Sequence, residues 1–273
     1  MGLEVQFKKF SSLVICYLRY AISKVLTLLG QPPQTDDLTA IIIYCGESTY
    51  DQCLSALRNQ TVPVKVKIIK DIHPLSASLD AALDACETKW LLMVDADTII
   101  HPYCVELICR NLQPGIGMVV AHLLDKVYGV IGFLRMVDAE SLKKHGFRHP
   151  ENDPYPDRRA RDFLLGLGLK RIVLSAILGI HNPYATNFEI FRRFYGTYRK
   201  RDSNEQQMKT HVVHIMKYAN RKKAWSEAYY MMAGLVCGAM ANPANTRDYI
   251  QDEEMQQYFQ AISKKDAGKD DLV

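Results

Sequence analysis

The chain runs to 273 residues, 48% of them hydrophobic and 23% charged, which allows one sizeable α/β core with appended helices and sets aside a low-complexity protein. A formal charge of +4 suits a phosphate-bearing ligand or an anionic membrane surface, and with no recognisable motif beside it gives nucleic acid no support as a partner. The seven cysteines form no CxxC pair, so zinc and redox sites are set aside and reduced thiols in a cytosolic protein fit best.

Residues 1–30 come first in the chain. From Phe10 to Gly30 only Arg19 and Lys24 are charged, and Ser12, Arg19, Ser23 and Thr27 share one helical face. The pattern predicts an amphipathic helix, too polar to span a bilayer, that either lies in a membrane interface or docks on the protein's own core. The expected location is cytoplasmic, with peripheral attachment to the cytoplasmic face of a membrane if the helix engages lipid.

The isoleucine-rich run 38–44 predicts a strand buried on both faces. A helix is expected over 50–59, a strand over 64–70, a helix over 76–86 and a strand over 90–94 that ends in Asp95-Ala96-Asp97. A helix over 102–111 and a strand over 117–122 continue the alternation, which predicts a parallel sheet with ligands at the carboxyl ends of its strands. Beyond Asp138 the expectation is a helix to about residue 145, a proline-rich loop over 149–157 and a helix over 158–167. From 186 the chain reads as a helical extension, with a flexible tail over 265–273.

Asp95 and Asp97 are hard oxygen ligands at a strand end, suited to Mg²⁺ or Mn²⁺ on a diphosphate. Aspartates there also cap a following helix, and Pro102 favours that second use. Tyr44, closing the first strand, can stack on a pyrimidine or belong to a half-buried strand.

The segment "SASLDAALDACETKWLLMVDADTIIHP" resembles the central signature of inverting family 2 glycosyltransferases. "LTAIIIYCGESTYDQCLSALRNQ" resembles that family's first strand, loop and helix, and "VKIIKD" its second strand with a terminal aspartate, here Asp71. Downstream, Asp157, Gly168 and His181 reproduce the family's intervals of 11 and 13 residues between an acid, a glycine and a metal-binding histidine. The resemblance covers roughly residues 38–181.

It implies a GT-A, Rossmann-like domain over 38–185, with a mostly parallel sheet flanked by helices, a helical extension over 186–264, and Mn²⁺ or Mg²⁺ as cofactor. The donor would be a nucleotide-diphospho-sugar, UDP-linked by default, and the acceptor a sugar, a lipid-linked molecule or a protein. Asp97 and His181 would bind metal, with Asp95 sharing it or meeting the ribose. Asp71 would hold the base and Glu47 the ribose. Asp157 would be the general base of an inverting transfer; the family usually has Glu-Asp where this chain has Pro156-Asp157. Asp153 is the alternative base, and an N-cap is the bland role for Asp157. Two other activities compete. A nucleotidyltransferase is disfavoured because "YCGESTYDQ" has one glycine and no arginine, and a non-catalytic nucleotide-binding or membrane-associated scaffold subunit remains the alternative.

Overall fold

The computed structural model describes residues 35–151, 156–183, 186–198, 205–241 and 253–267. The amphipathic segment 1–30, Asp153 and the last six residues lie outside them. The described chain divides into two compact units. One is built mainly from residues up to Arg148 and from Asp157 to Pro183, and the other mainly from Tyr184 onward.

The first unit holds β1 (Leu38–Tyr44), α1 (Tyr50–Arg58), β2 (Lys65–Lys70), α2 (Leu75–Ala85, whose first turn the division assigns to the second unit), β3 (Trp90–Asp95) and β4 (Thr98–Ile100). These are followed by α3 (Cys104–Cys109), β5 (Ile116–Asp125), β6 (Gly129–Asp138), α4 (Ala139–Lys144), α5 (Pro156–Gly166) and β7 (Lys170–His181). The strands form one sheet in the order β2-β1-β3-β6-β5-β7-β4.

Three of its pairings are parallel and three antiparallel, where a parallel sheet was expected. Two of the antiparallel pairings belong to β6, which follows β5 through a hairpin too short for a crossover and inserts itself between β5 and β3, and the third to the short β4, which pairs with β7. Five strands still point one way, with β6 and β4 reversed.

β1 is buried on both faces because its residues alternate between two cores. Leu38, Ala40 and Ile42 pack with α1 and α3 residues such as Leu57 and Ile108, while Ile41 joins Leu83, Leu142 and Leu164 on the other side. The result is a sheet covered on both faces, which explains an apolar run in place of alternation.

Several expected boundaries move. The helix placed at 102–111 spans only Cys104–Cys109, so Pro102 precedes it, and the Pro102 carbonyl accepts from the Thr61 amide at 2.9 Å. Helix α5 starts at Pro156, which puts Asp157 inside its first turn instead of at its cap. Its end is set by Gly168, whose φ of +79° only glycine adopts readily, and the Leu169 amide closes back on the Leu164 carbonyl at 3.2 Å.

The second unit contains α6 (Asn187–Tyr198), α7 (Glu205–Lys222), α8 (Trp225–Met240) and α9 (Glu253–Ala267), the last running past the expected start of the tail. Its core is aromatic: Phe191, Phe194 and Tyr195 are fully buried, and the Phe259 ring lies 4.9 Å from Phe188 and 5.7 Å from Tyr230. Helices α6 and α8 pack closely because Gly234 and Gly238 face the α6 carbonyls of Phe191 and Tyr195, where a Cβ would collide. No helix among the described residues is long and apolar enough to cross a membrane.

Candidate functional site

The Asp95-Ala96-Asp97 segment is held by its middle residue. The Ala96 amide donates to the Ile43 carbonyl at 3.0 Å, and the buried Thr49 hydroxyl donates to the Ala96 carbonyl at 3.0 Å. With Ala96 fully buried, the flanking carboxylates are turned outward: Asp95 is exposed and the Asp97 side chain is one quarter exposed. The site is electronegative. The Cys53 thiol beneath it is pushed up to about 12, first by burial and then by the carboxylates of Asp95 and Asp97.

β7 delivers the histidine. Thr98 pairs with His181 and Ile100 with Gly179 across the β4 and β7 strands. This approach requires a glycine, since a Cβ at Gly179 would stand 2.7 Å from the Ile99 carbonyl oxygen. Just past the strand, the Asn182 amide donates to the Asp97 carbonyl at 2.7 Å. His181 Nε2 consequently lies 3.3 Å from Asp97 Oδ1. Asp95, Asp97 and His181 each offer a ligand atom, and these atoms lie within 4.8 Å of one another. Cis ligands on an octahedral cation at ~2.1 Å stand ~3 Å apart, close to the 3.3 Å between His181 and Asp97, and the two carboxylates suit Mg²⁺ or Mn²⁺.

Sequence reasoning missed Asp125, which ends β5 beside His181 in the parallel β5–β7 register. Its Oδ2 is 2.8 Å from His181 Nδ1, its side chain is wholly buried, and its Oδ1 accepts from the amides of Val127 and Tyr128 at 2.8 and 2.7 Å.

The proposed nucleotide residues gather at the carboxyl ends of β1 and β2. Tyr44 pairs with Lys70, and the Asp71 amide donates to the Tyr44 carbonyl at 2.9 Å. Asp71 is exposed and has a φ of +52°. The Tyr44 ring meets the Tyr50 ring at 4.6 Å, and Lys70 Nζ lies 5.7 and 5.5 Å from the two ring centres. Tyr50 and Lys70 were not anticipated; together they make an aromatic and cationic cluster suited to a base and its phosphates. Glu47 Oε2 accepts from the Cys45 amide at 2.7 Å, which fixes the loop after β1. The backbone of Asp157 belongs to α5, and its side chain lies outside what the structure describes.

No protein-family profile matches the chain, and no curated protein matches it. Among solved structures, the mannosyltransferase PcManGT of Pyrobaculum calidifontis, in complex with GDP-Man and Mn²⁺, is 14% identical, with 94% of this chain and 96% of that one covered and a TM-score of 0.47. S. aureus TarS residues 1–349 are 13% identical over 74% of this chain and 81% of that one, at a TM-score of 0.43. A 2-C-methyl-D-erythritol 4-phosphate cytidylyltransferase from Thermus thermophilus is 13% identical over 53% and 93%, at 0.35. At these identities and TM-scores the likenesses assign no activity to this chain.

Proposed function

We propose that the chain is a metal-dependent, inverting glycosyltransferase that moves a sugar from a nucleotide-diphospho-sugar, UDP-linked by default, to an acceptor hydroxyl. The observation that carries this is the 3.3 Å approach of His181 to Asp97. These two residues are 84 positions apart in the sequence; the resemblance at Asp95-Ala96-Asp97 nominated Asp97, and the Asp157, Gly168 and His181 intervals nominated His181. The resemblance over residues 38–181 supplies the reaction class.

Asp97 and His181 would hold Mn²⁺ or Mg²⁺, with Asp95 sharing the ion or accepting from the ribose. Once bound, the ion neutralises charge on the departing nucleotide diphosphate. Tyr44 stacks on the base, Asp71 accepts from its edge and Glu47 reaches the ribose. Asp157 takes the proton of the acceptor hydroxyl as that oxygen bonds to the anomeric carbon on the face opposite the leaving diphosphate, so the configuration inverts.

The test is donor hydrolysis. Incubated with UDP-, GDP- and dTDP-sugars and Mn²⁺, the protein should release free nucleoside diphosphate from one of them, and excess EDTA should abolish the release. No release from any donor would instead indicate a binding or scaffold subunit.

A further inference from the structure

We infer that Asp125 is the positioning residue of the metal site: its buried carboxylate fixes the tautomer and orientation of His181 so that the Nε2 lone pair faces Asp97. The inference rests on the metal reading above and names a group on which that reading does not depend.

The chemistry follows from the contacts. An ionised carboxylate only accepts hydrogen bonds, so at 2.8 Å from Asp125 Oδ2 it is His181 Nδ1 that carries the proton. In a neutral imidazole this leaves Nε2 unprotonated, and Nε2 is the atom 3.3 Å from Asp97 Oδ1. Metal-binding histidines commonly donate their other ring N–H to a carboxylate in this manner, which holds the ring and raises its basicity.

Asp125 cannot swing away. Its other oxygen is fastened by the amides of Val127 and Tyr128 in the β5–β6 hairpin, and the side chain has no solvent exposure. One carboxylate therefore ties the hairpin turn to the histidine, across 56 positions of sequence.

The two duties can be separated. In Asp125→Asn, the side-chain oxygen can stay on the two hairpin amides, which only donate, so the NH₂ group is turned toward His181. That group donates to Nδ1 and forces the proton onto Nε2, the wrong tautomer for a ligand. The turn survives and the metal site is weakened.

The experiment titrates Mn²⁺ alone into the full chain, following the electron paramagnetic resonance signal of the free ion, for wild type, Asp125→Asn, His181→Ala and the double variant. Asp125→Asn should weaken Mn²⁺ binding by roughly 10- to 100-fold, and it should cause no further loss in the His181→Ala background. Equal affinity of Asp125→Asn and wild type, or additive losses in the double variant, would overturn the positioning role. Absence of saturable Mn²⁺ binding by the wild type would instead sink the metal reading and this inference with it.

A second measurement does not depend on any variant folding. With Mg²⁺ bound to the wild type, the nitrogen resonances of His181 should place the ring proton on Nδ1, and a proton on Nε2 would refute the assignment.

Discussion

Asp97→Asn should lower sugar transfer by two to three orders of magnitude and abolish saturable Mn²⁺ binding, with the fold intact, and His181→Ala should lower transfer as far while leaving a weakened Mn²⁺ site. A bound dication contributes several kcal/mol of stabilisation to a departing diphosphate, and at about 1.36 kcal/mol per tenfold in rate its loss accounts for that range. The two variants differ in what else they disturb. The Asp97 side chain is one quarter exposed, and asparagine matches its shape, so the melting temperature should hardly move. Removing His181 takes the 2.8 Å imidazole contact from the fully buried Asp125 Oδ2, at a cost of ~1–3 kcal/mol in stability. Transfer kinetics across a Mn²⁺ titration, paired with thermal melts, separate the two effects. If Asp97→Asn retained wild-type turnover at low Mn²⁺, the ligand assignment would be wrong.

Asp157→Asn should reduce transfer to acceptor by roughly 10² to 10⁴-fold while leaving donor and metal affinity unchanged, because a general base acts only as the acceptor proton departs. Proline at position 156 suits the start of α5, since its ring holds φ in the helical range, and the backbone of Asp157 belongs to the first turn of this 11-residue helix. The helix is anchored by Ala160 and Leu164, both 1% exposed. A site built on a packed helix is held more precisely than one on a loop, which is the reason to test Asp157 first. The rate and KM of Asp157→Asn, compared with Asp153→Asn, decide between the two candidates. A large loss in kcat for Asp153→Asn alone would transfer the role.

The framework was legible where one physical signal dominated. The β1 run reads as a strand because burial on both faces leaves it no polar residue except Thr39, whose hydroxyl is satisfied by Thr88 at 2.8 Å. The intervals that nominated His181 also have a structural meaning. Asp157 to Gly168 is the length of α5 plus its left-handed stop, and Gly168 to His181 is the length of β7.

Other features were not legible because they depend on register. β6 carries two glycines and Arg135, which break any alternation, and β4 has only three residues. Without these reversed strands the sheet reads as parallel. Asp125 looks in sequence like an ordinary turn former before Gly129, and its tie to His181 arises only when β5 and β7 align. Tyr50 and Lys70 were invisible for the same reason: their tie to Tyr44 is made by the β1–β2 register and by the placement of α1.

The most direct measurement is the position of the metal itself. Crystals grown with Mn²⁺ and UDP should show an anomalous scattering peak within about 2.0–2.3 Å of both an Asp97 carboxylate oxygen and His181 Nε2, with diphosphate oxygens completing the shell. Manganese bound elsewhere, or a diphosphate held with neither residue touching a cation, would contradict the account.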